Sequence, residues 1–308
     1  VGSEMCIRDR VIEDNDFAYE IGAKLKNAGM IKSDTVWTWW MDRNYPDFTY
    51  YNGEYYLNAG MSYQDLAEKL QNPDISHKKV KVTIPEGYTV FDIASTLEKK
   101  NVCSAKDFLK ACSTTEGYDY DWLADFPKND PHVGYVLEGF LFPATYDFGE
   151  NSKATDIADV MLEAFDQRIT DEVKTYCKQR GYTLYQFVTL CSIVQKEALS
   201  KSSQGNIAST LENRLDKGMK IECDVTYYYA KALRDHGFSQ SVYDAYYTYR
   251  CPGLPAGPIA NPGTEIMTAT VEHPSTDYLY FFSDLKGNFH FAATYGEFES
   301  LKAKYPWK

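Results

Sequence analysis

The sequence predicts an α+β protein in which one or more small α+β modules precede a larger, mixed α+β domain. A turn-and-helix pattern recurs in the first third of the chain, and the alternating stretch KVKVTIPEG predicts a strand that ends in a Pro/Gly turn. Apolar residues recur at helical spacing between residues 156 and 219. A chain of 308 residues is long enough for two domains, each with its own core.

The amino-acid composition indicates which kinds of binding partner the chain is suited to. The formal net charge is −12, from 44 acidic and 32 basic residues, and nucleic-acid phosphates would be repelled by it, so no nucleic-acid partner is predicted. The sequence has no run of about 18 apolar residues of the kind that spans a bilayer. Aromatic residues make up 15% of the chain. Their side chains suit stacking on sugar rings and packing in ordinary cores equally well.

The first ten residues, VGSEMCIRDR, show no periodicity and are interpreted as a non-native leader, residues 1–10. On this interpretation the native N-terminus is missing, and we expect a signal or membrane anchor to precede residue 11. None of the seven cysteines lies in a CxxC pair or near histidines at metal-binding spacing. No metal site is therefore predicted.

Residues 11–114 contain an internal repeat with copies at Asn15–Leu25, Gly60–Leu70 and Gly87–Leu97. Each copy has an acid five residues after its first residue, then Ile or Leu, a small residue, and a Leu four positions after the Ile or Leu. This pattern predicts a turn and a short helix with one aliphatic face, and the small residue allows a neighbouring element to approach. A second helix is predicted at Ala105–Cys112. A scaffold that binds no ligand fits the repeat as well as a binding module does.

Residues 115–131 lack helical spacing and predict a connector, which places the larger domain at residues 132–308. Early in that domain, the run Leu137–Phe148 has Glu138 as its only acid before the turn. This glutamate is suited to bind backbone amides or substrate hydroxyls, and both uses stay open. Further helices are predicted within Asp156–Arg180, at Asn206–Met219 and at IMTATVEHP, with a terminal hairpin turning at residues 286–288.

The stretch Leu184–Ala198, LYQFVTLCSIVQKEA, predicts a helix with one apolar stripe. Glu197 falls at the edge of that stripe, next to Leu190 and Val194. A carboxyl group held against apolar side chains loses hydration, which raises its pKa towards the range of a general acid. The alternative is a half-exposed glutamate on an ordinary amphipathic helix.

The stretch Tyr243–Gly263 contains four Pro and three Gly and is expected to form no regular element. A loop this stiff, with aromatic residues at its start, either lines a ligand groove or is a packed structural loop. Near the C-terminus His290 has no second histidine beside it in the sequence, so a structural role is favoured over a ligand role.

Four stretches resemble motifs of one family. LEGFLFPATY is similar to LEGYLFPDTY, CSIVQKE to ASIVEKE, IECDVTYYYA to LQTDPTVxYG, and YYTYRCPGLPAGPIANPG to YNTYRxxGLPPGPIANPG. The chain is identified on these motifs as a member of the YceG-like family of endolytic murein transglycosylases. Gln195 replaces a family glutamate, so Glu197 is the only acid of its motif. Phe140, Ala144, Val225, Tyr247 and Ala256 also depart from the motifs.

The resemblance implies a fold and a set of site residues. It implies LysM-like modules at residues 11–114, of a kind that binds N-acetylglucosamine-containing glycans, and a YceG-like catalytic domain at 132–308. Glu197 is the expected catalytic residue, and Asn261 is expected nearest the substrate. Asp224 is expected either to cap a helix or to orient Glu197 or a sugar hydroxyl. The expected substrate-binding residues are Glu138, Tyr146, Gln195, Asp224, Thr226, Tyr246, Tyr249 and Asn261.

The resemblance also implies the reaction. A hydrolytic glycosidase normally needs two carboxylates, whereas a lytic transglycosylase needs one acid, because the 6-hydroxyl of N-acetylmuramic acid attacks its own anomeric carbon. The expected product has a 1,6-anhydro end, and no cofactor is required. A glycan-binding protein without catalysis and a peptidoglycan hydrolase are the alternatives. The expected partners are peptidoglycan strands and peptidoglycan synthases, at the extracytoplasmic face of the bacterial cytoplasmic membrane, to which the native protein is expected to be tethered.

Overall fold

The computed structural model describes residues 6–12, 18–46, 48, 53–58, 61–71, 79–127, 129–198 and 200–307. The chain divides into two compact units, Val1–Lys79 and Val80–Lys308. Residues 1–5 of the predicted leader, and the first residues of the first two repeat copies, lie outside the described residues.

The smaller unit has the order strand, helix, helix, strand, followed by a third helix. Its elements are β1 (Cys6–Ile12), α1 (Ala18–Asn27), α2 (Asp34–Asn44), β2 (Gly53–Asn58) and α3 (Tyr63–Gln71). Strands β1 and β2 pair antiparallel, and β1 begins inside the segment interpreted as a leader. The core is built around Trp37, which is fully buried and packs edge-on against Tyr63 with ring centroids 5.2 Å apart.

The larger unit is mostly helical, with two small sheets. Its first elements are β3 (Lys79–Thr83), α4 (Val90–Lys99), α5 (Ala105–Ala111), a 3-10 turn (Asp121–Asp125) and β4 (Thr145–Gly149). Eight helices and two strands follow in the described part of the chain: α6 (Ala154–Asp166), α7 (Asp171–Arg180), α8 (Leu184–Glu197), α9 (Lys201–Asp216), α10 (Asp224–Asp235), α11 (Gln240–Tyr246), α12 (Thr264–Val271), β5 (Tyr280–Ser283), β6 (Phe289–Ala292) and α13 (Tyr295–Lys304). Strand β3 pairs with β4, and β5 pairs antiparallel with β6.

Each repeat copy contains the helix that its pattern predicts. The helices are α1, α3 and α4, and the paired aliphatic positions are buried in all three copies: Ile21 and Leu25, Leu66 and Leu70, Ile93 and Leu97. The small residue allows the close approach expected of it, since a Cβ atom added to Gly22 would lie 3.3 Å from Trp37 Cδ1.

The repeated acid caps its helix in the second and third copies. Asp65 accepts a hydrogen bond from the backbone N–H of Ser62 (3.0 Å), and Asp92 accepts one from Thr89 (2.9 Å). The serine and threonine hydroxyls accept bonds from the backbone N–H of Asp65 and Asp92 in return, which completes a capping box at each helix start. In these two copies the repeated acid therefore stabilises the start of its helix.

The third repeat copy and the predicted connector both belong to the larger unit. Ile93 and Leu97 of α4 share one core with α8, and Leu123 and Phe126 of the connector are buried in the same core. The structure accordingly divides at residues 79/80 and not at the connector predicted at 115–131. Composition indicated a loop there, but strand pairing and long-range packing decide which segments form one unit.

The core of the larger unit surrounds α8, which contacts α7, α9, α10 and α12. The LEGF stretch crosses this core as a turn and not as a strand. Gly139 in that turn has φ +90°, and a Cβ atom there would lie 2.5 Å from Pro258 Cβ and 2.9 Å from Val188 Cγ1. Only glycine lets the turn fit between α8 and the loop that carries Pro258.

The predicted stiff loop is shorter than the sequence indicated. Helix α11 continues to Tyr246, so the first four residues of Tyr243–Gly263 are helical, and the expectation of no regular element is wrong for them. All four prolines and three glycines of the stretch follow Tyr246 and do not interrupt this helix.

The C-terminal hairpin forms where it was predicted, between β5 and β6. His290 on β6 lies 3.0 Å from the Asp284 carboxylate and stacks on Tyr305 with ring centroids 3.9 Å apart, which is a structural environment. No helix within the described residues is long and apolar enough to cross a membrane.

Candidate active site

Glu197 is the last residue of α8, and the rest of the helix is held rigidly. A capping box between Thr183 and Gln186 closes its first turn. Every residue from Phe187 to Val194 is buried, so α8 is surrounded by protein along most of its length. The helix ends before Ala198, whose backbone is extended, and Glu197 itself is only partly exposed. The Glu197 side chain is thereby placed at a fixed point where buried structure meets solvent.

The Glu197 carboxyl group is partly buried, and burial raises its pKa from 4.5 to about 7. The negative charge of Asp224 raises the pKa further, because it disfavours a second negative charge nearby. Hydrogen bonds from the Cys223 thiol and the Val225 backbone N–H act in the opposite direction and stabilise the carboxylate. Near neutral pH this group can therefore both give up and take back a proton.

A small buried network fixes the donors to Glu197 at the start of α10. Cys223 donates its backbone N–H to the Thr248 hydroxyl (3.1 Å), which lies 2.8 Å from the Thr226 hydroxyl. Thr226 also donates to the carbonyl of Cys223 (2.7 Å). Both threonines are fully buried. They hold the backbone around Cys223, and with it the thiol that faces Glu197.

Tyr249 and Asp224 form the solvent-facing side of this network. The Tyr249 hydroxyl donates to the Asp224 carboxylate at 3.0 Å, and both side chains are exposed. Asp224 is the first residue of α10, whose N-cap position is Cys223, so the proposed helix-capping use of Asp224 is not observed. Its carboxylate instead accepts from Tyr249 and acts on Glu197 through its charge.

Three sequence motifs meet at the C-terminal end of α8. Gln195 accepts a hydrogen bond from the backbone N–H of Gly263 (3.0 Å), and Lys196 donates to the carbonyl of Gly87 (3.2 Å). The N–H of Gly87 in turn donates to the carbonyl of Asn261 (2.8 Å). The IPEG turn and the Pro/Gly loop, residues 247–263, are therefore both hydrogen-bonded to the last turn of α8. Gln195 makes the bond to the loop.

Beneath this end of the helix, Glu138 and Asn261 form a fully buried pair. The Asn261 amide donates to Glu138 Oε1 (2.8 Å) and to the carbonyl of Tyr88 (3.0 Å), and its oxygen accepts from the N–H of Leu141 (2.8 Å). Glu138 Oε2 accepts from the N–H of Val90 at the start of α4 (2.8 Å). The two side chains join α4, the LEGF turn and the loop.

Burial raises the pKa of Glu138 from 4.5 to about 7, against the lowering effect of the hydrogen bonds from the backbone N–H groups of Val90 and Gly139. The Tyr229 hydroxyl faces this carboxyl group, although it makes no hydrogen bond of ordinary geometry. Because Glu138 is 0% exposed, this titrating group lies inside the protein and not at the surface.

The structure separates the predicted site residues into two groups. Glu197, Gln195, Asp224 and Tyr249 reach solvent. The others are buried: Glu138, Tyr146, Thr226, Tyr246 and Asn261. Tyr146 donates to the carbonyl of Phe142, and the Tyr246 hydroxyl accepts from the N–H of Gly134 (3.2 Å).

The expectation that Asn261 lies nearest the substrate is not met, because its side chain is 0% exposed and each of its polar atoms is already hydrogen-bonded within the protein. Residues 257–263 are all buried, so this part of the loop is the packed structural alternative and not the wall of a groove.

Two residues of the site were not predicted. Cys223 and Thr248 both belong to motif stretches, but neither is among the site residues that the resemblance implies. The position of Cys223 directly before Asp224, in the place of a family threonine, was the available signal: both residue types carry a short side chain that can donate a hydrogen bond.

A separate cavity of about 590 Å³ lies at the other end of α8, lined by Arg180, Thr183 and Gln186 among others. Since α8 has 14 residues, this cavity lies about 20 Å from Glu197, and it includes none of the predicted site residues. Its size alone gives no reason to prefer it to the Glu197 site. Within the described residues, no group of three or more His, Cys, Asp or Glu side chains is arranged to hold a metal ion.

Comparison with known proteins gives the site a family context. The YceG-like family profile matches residues 11–304. The endolytic murein transglycosylase of Bacillus subtilis (strain 168) is 30% identical over 298 residues, which cover 92% of this chain and 81% of the relative. That of Streptococcus pneumoniae (strain D39) is 28% identical over 307 residues, 91% of this chain and 55% of the relative. The chain thus spans about half the length of the streptococcal protein.

A solved structure shares the fold. The crystal structure of a YceG-like protein from Listeria monocytogenes matches with a TM-score of 0.60 and 28% identity, and covers 97% of this chain and 100% of that chain. The family profile spans nearly the whole sequence, and two of the motifs that suggested the resemblance, CSIVQKE and the loop ending at Gly263, are hydrogen-bonded to each other at the end of α8. The resemblance is confirmed, and the chain belongs to the YceG-like family.

Proposed function

We propose that this protein is a lytic transglycosylase that cleaves the bond between N-acetylmuramic acid and N-acetylglucosamine within peptidoglycan strands and leaves 1,6-anhydro-N-acetylmuramic acid ends. The observation that carries the proposal is the Glu197 carboxyl group, fixed at the end of a buried helix with its pKa raised to about 7. The names of the pneumococcal and Bacillus relatives, both endolytic murein transglycosylases, support the same reaction and substrate.

Glu197 acts twice in the proposed reaction. Protonated Glu197 first gives its proton to the glycosidic oxygen, so that the bond to the anomeric carbon breaks and the leaving sugar departs as an alcohol. The resulting carboxylate then accepts the proton of the muramic acid 6-hydroxyl as that oxygen bonds to the anomeric carbon. Hydrogen bonds from Cys223 and Val225 stabilise the carboxylate between the two steps. The proton that Glu197 gives to the leaving sugar is replaced by the proton of the 6-hydroxyl, so no water molecule is consumed.

The other site residues divide into contact and positioning roles. Asp224 and Tyr249 reach solvent beside Glu197 and are proposed to contact the substrate. Gln195, Thr226, Tyr246 and Asn261 are proposed to position the site through the network and the loop that they hold. Glu138 is buried with Asn261 and is proposed to hold α4 against the loop. Tyr146 lies away from these contacts, bonded to Phe142.

The N-terminal segments are proposed to be LysM-like and to bind glycan. The smaller unit has the order β1, α1, α2, β2, and the larger unit begins with β3, α4, α5 and returns to pair β3 with β4. Two strand–helix–helix–strand segments therefore support this assignment. We also propose that the native protein acts at the extracytoplasmic face of the bacterial membrane, tethered by a segment outside this sequence, with peptidoglycan synthases as partners.

Product chemistry tests the proposal against its alternatives. Peptidoglycan sacculi incubated with the protein are expected to release fragments with 1,6-anhydro ends, which mass spectrometry distinguishes from reducing ends by the mass of one water molecule. Reducing ends would instead identify a hydrolase. If sacculi co-sediment with the protein but release no fragments, the protein is a glycan-binding protein and the proposed catalysis is refuted.

The pH dependence of cleavage reports the protonation of Glu197. Because its pKa is raised to about 7 and the acid form starts the reaction, kcat/KM is expected to be level below pH 7 and to fall about tenfold per pH unit above it. The measurement is the rate of fragment release between pH 5 and 9. A decline that begins near the ordinary glutamate pKa of 4.5 would contradict the assignment.

A matched pair of variants sharpens the pH measurement. Asp224→Asn removes the negative charge that helps to raise the pKa of Glu197, so the decline is expected to move to lower pH. Asp235→Asn, at the other end of the same helix, changes an exposed aspartate paired with Lys231 and is expected to leave the profile unchanged.

A further inference from the structure

A row of tyrosines leads away from the Glu197 site. It consists of Tyr249, Tyr247, Tyr227 and Tyr228 and is called the tyrosine row below. Consecutive ring centroids lie 5.3, 5.6 and 5.5 Å apart. Tyr249 is tied to the site, since its hydroxyl donates to Asp224 at 3.0 Å, and Asp224 acts on Glu197 through its charge. The row therefore begins at the site and continues along the first turn of α10.

The rings are held in place by one another. Neighbouring rings are inclined by 42°, 61° and 68°, in the tilted and edge-on arrangements that aromatic pairs prefer. Tyr227 and Tyr247 are half-buried and occupy the middle, and Arg250 lies over the Tyr247 ring at 5.7 Å. The outer members are open to solvent, with Tyr249 40% and Tyr228 67% exposed. The rings of Tyr249 and Tyr228 are therefore exposed at the two ends of the row, and the packed rings between them hold them in place.

The charged groups beside the row are engaged within the protein. Glu222 is paired with Arg214, and the Asp224 carboxylate accepts a hydrogen bond from Tyr249. Arg250 is already paired with Asp244 at 2.7 Å, and Lys220 donates to the carbonyl of Tyr249 at 2.9 Å. Because these charges already have partners, the occupant that fits the exposed aromatic faces is an uncharged ring with an apolar face, such as an N-acetylhexosamine.

Tyr249 matches a family motif, but the other three members of the row do not. Tyr247 stands where the motif has asparagine, and Tyr227 and Tyr228 stand where it has valine and no fixed residue. We propose that the tyrosine row is a sugar-binding subsite next to Glu197, in which Tyr249 and Tyr228 stack on N-acetylhexosamine rings adjoining the cleaved bond. The inference rests on the proposed function for its substrate class.

Binding can be measured apart from cleavage. The probe is chitotetraose, an uncharged tetramer of N-acetylglucosamine, titrated calorimetrically into the full 308-residue chain carrying Glu197→Gln. Adding Tyr228→Ala is expected to weaken binding about fivefold to tenfold, and Tyr228→Phe to change it less than twofold, because the ring face and not the hydroxyl makes the contact. Tyr295→Ala is the control, since Tyr295 on α13 is 61% exposed and lies outside the row.

Each outcome bears on the inference. Unchanged affinity in Tyr228→Ala, or an equal loss in Tyr295→Ala, overturns the inference. A change in sedimentation coefficient without a change in affinity would mean that the row joins two copies of the chain, and this also overturns it. If the affinity of Tyr228→Ala falls as expected while the wild type releases no anhydro fragments, the subsite is supported and the proposed catalysis is refuted. If the wild type releases anhydro fragments but the affinity is unchanged, only the subsite is refuted.

Discussion

Replacing Glu197 by glutamine is expected to lower the rate of fragment release from peptidoglycan about 1,000-fold, within the range of 100-fold to 10,000-fold typical of a lost general acid–base group. Glutamine keeps the size of the side chain and its place at the end of α8, but it cannot transfer a proton. Since one carboxyl group performs both proposed proton transfers, no second residue can replace it. The measurement is the initial rate of anhydro-fragment release by mass spectrometry.

The matched control for this variant is Glu172→Gln, which makes the same chemical change on the exposed face of α7. It is expected to release fragments at the wild-type rate. Equal thermal unfolding of the two variants shows that the fold is intact. Anhydro fragments released by Glu197→Gln at more than one tenth of the wild-type rate would remove Glu197 from its assigned role.

Replacing Glu138 by alanine is expected to lower the free energy of unfolding of the larger unit by about 3–5 kcal/mol. Each buried donor left without an acceptor costs about 1–3 kcal/mol, and Glu138 accepts from both Val90 and Asn261. Chemical denaturation followed by tryptophan fluorescence measures the change. Glu299→Ala on α13 is the control, and because its side chain is exposed it is expected to change stability by less than about 0.5 kcal/mol.

The pH dependence of stability gives a second readout for Glu138. Its folded-state pKa is raised from 4.5 to about 7, so its stabilising contribution is complete below pH 4.5 and is lost as the pH rises through 7. Glu197 contributes with the same sign. Glu138→Gln cannot titrate and is expected to flatten this decline in part. An unchanged decline in Glu138→Gln would show that Glu138 does not titrate in this range.

The catalytic candidate could be predicted because its signal is local. Helical spacing from Leu184 placed Glu197 at the edge of an apolar stripe, and the structure gives it the burial and the raised pKa expected from that position. The helices of the repeat could be predicted for the same reason, since the turn, the acid and the aliphatic pair of each copy act within a single helix. Periodicity reports which face of one element is buried.

The arrangement around Glu197 could not be predicted because it depends on distant pairs. Glu138 and Asn261 are 123 residues apart, and Gln195 and Gly263 are 68 apart. Nothing in either segment specifies the other, so the motif predicts a substrate contact for Asn261, whereas its side chain is buried and hydrogen-bonded within the protein. Polar residues in a motif serve binding and assembly alike, and burial, which separates the two uses, is a tertiary property.

The same long-range pairing determines when the site can form. Asn261 donates to the carbonyl of Tyr88, a contact between groups 173 residues apart, and the N–H of Gly87 closes back onto Asn261. Closing so large a loop costs entropy that is recovered only after both ends have docked, so such contacts form late in folding. Helix α8 can form from local contacts, but the surroundings of Glu197 need the chain as far as residue 263. A partly synthesised or partly folded chain would therefore carry the acid without the structure that holds it beside a substrate.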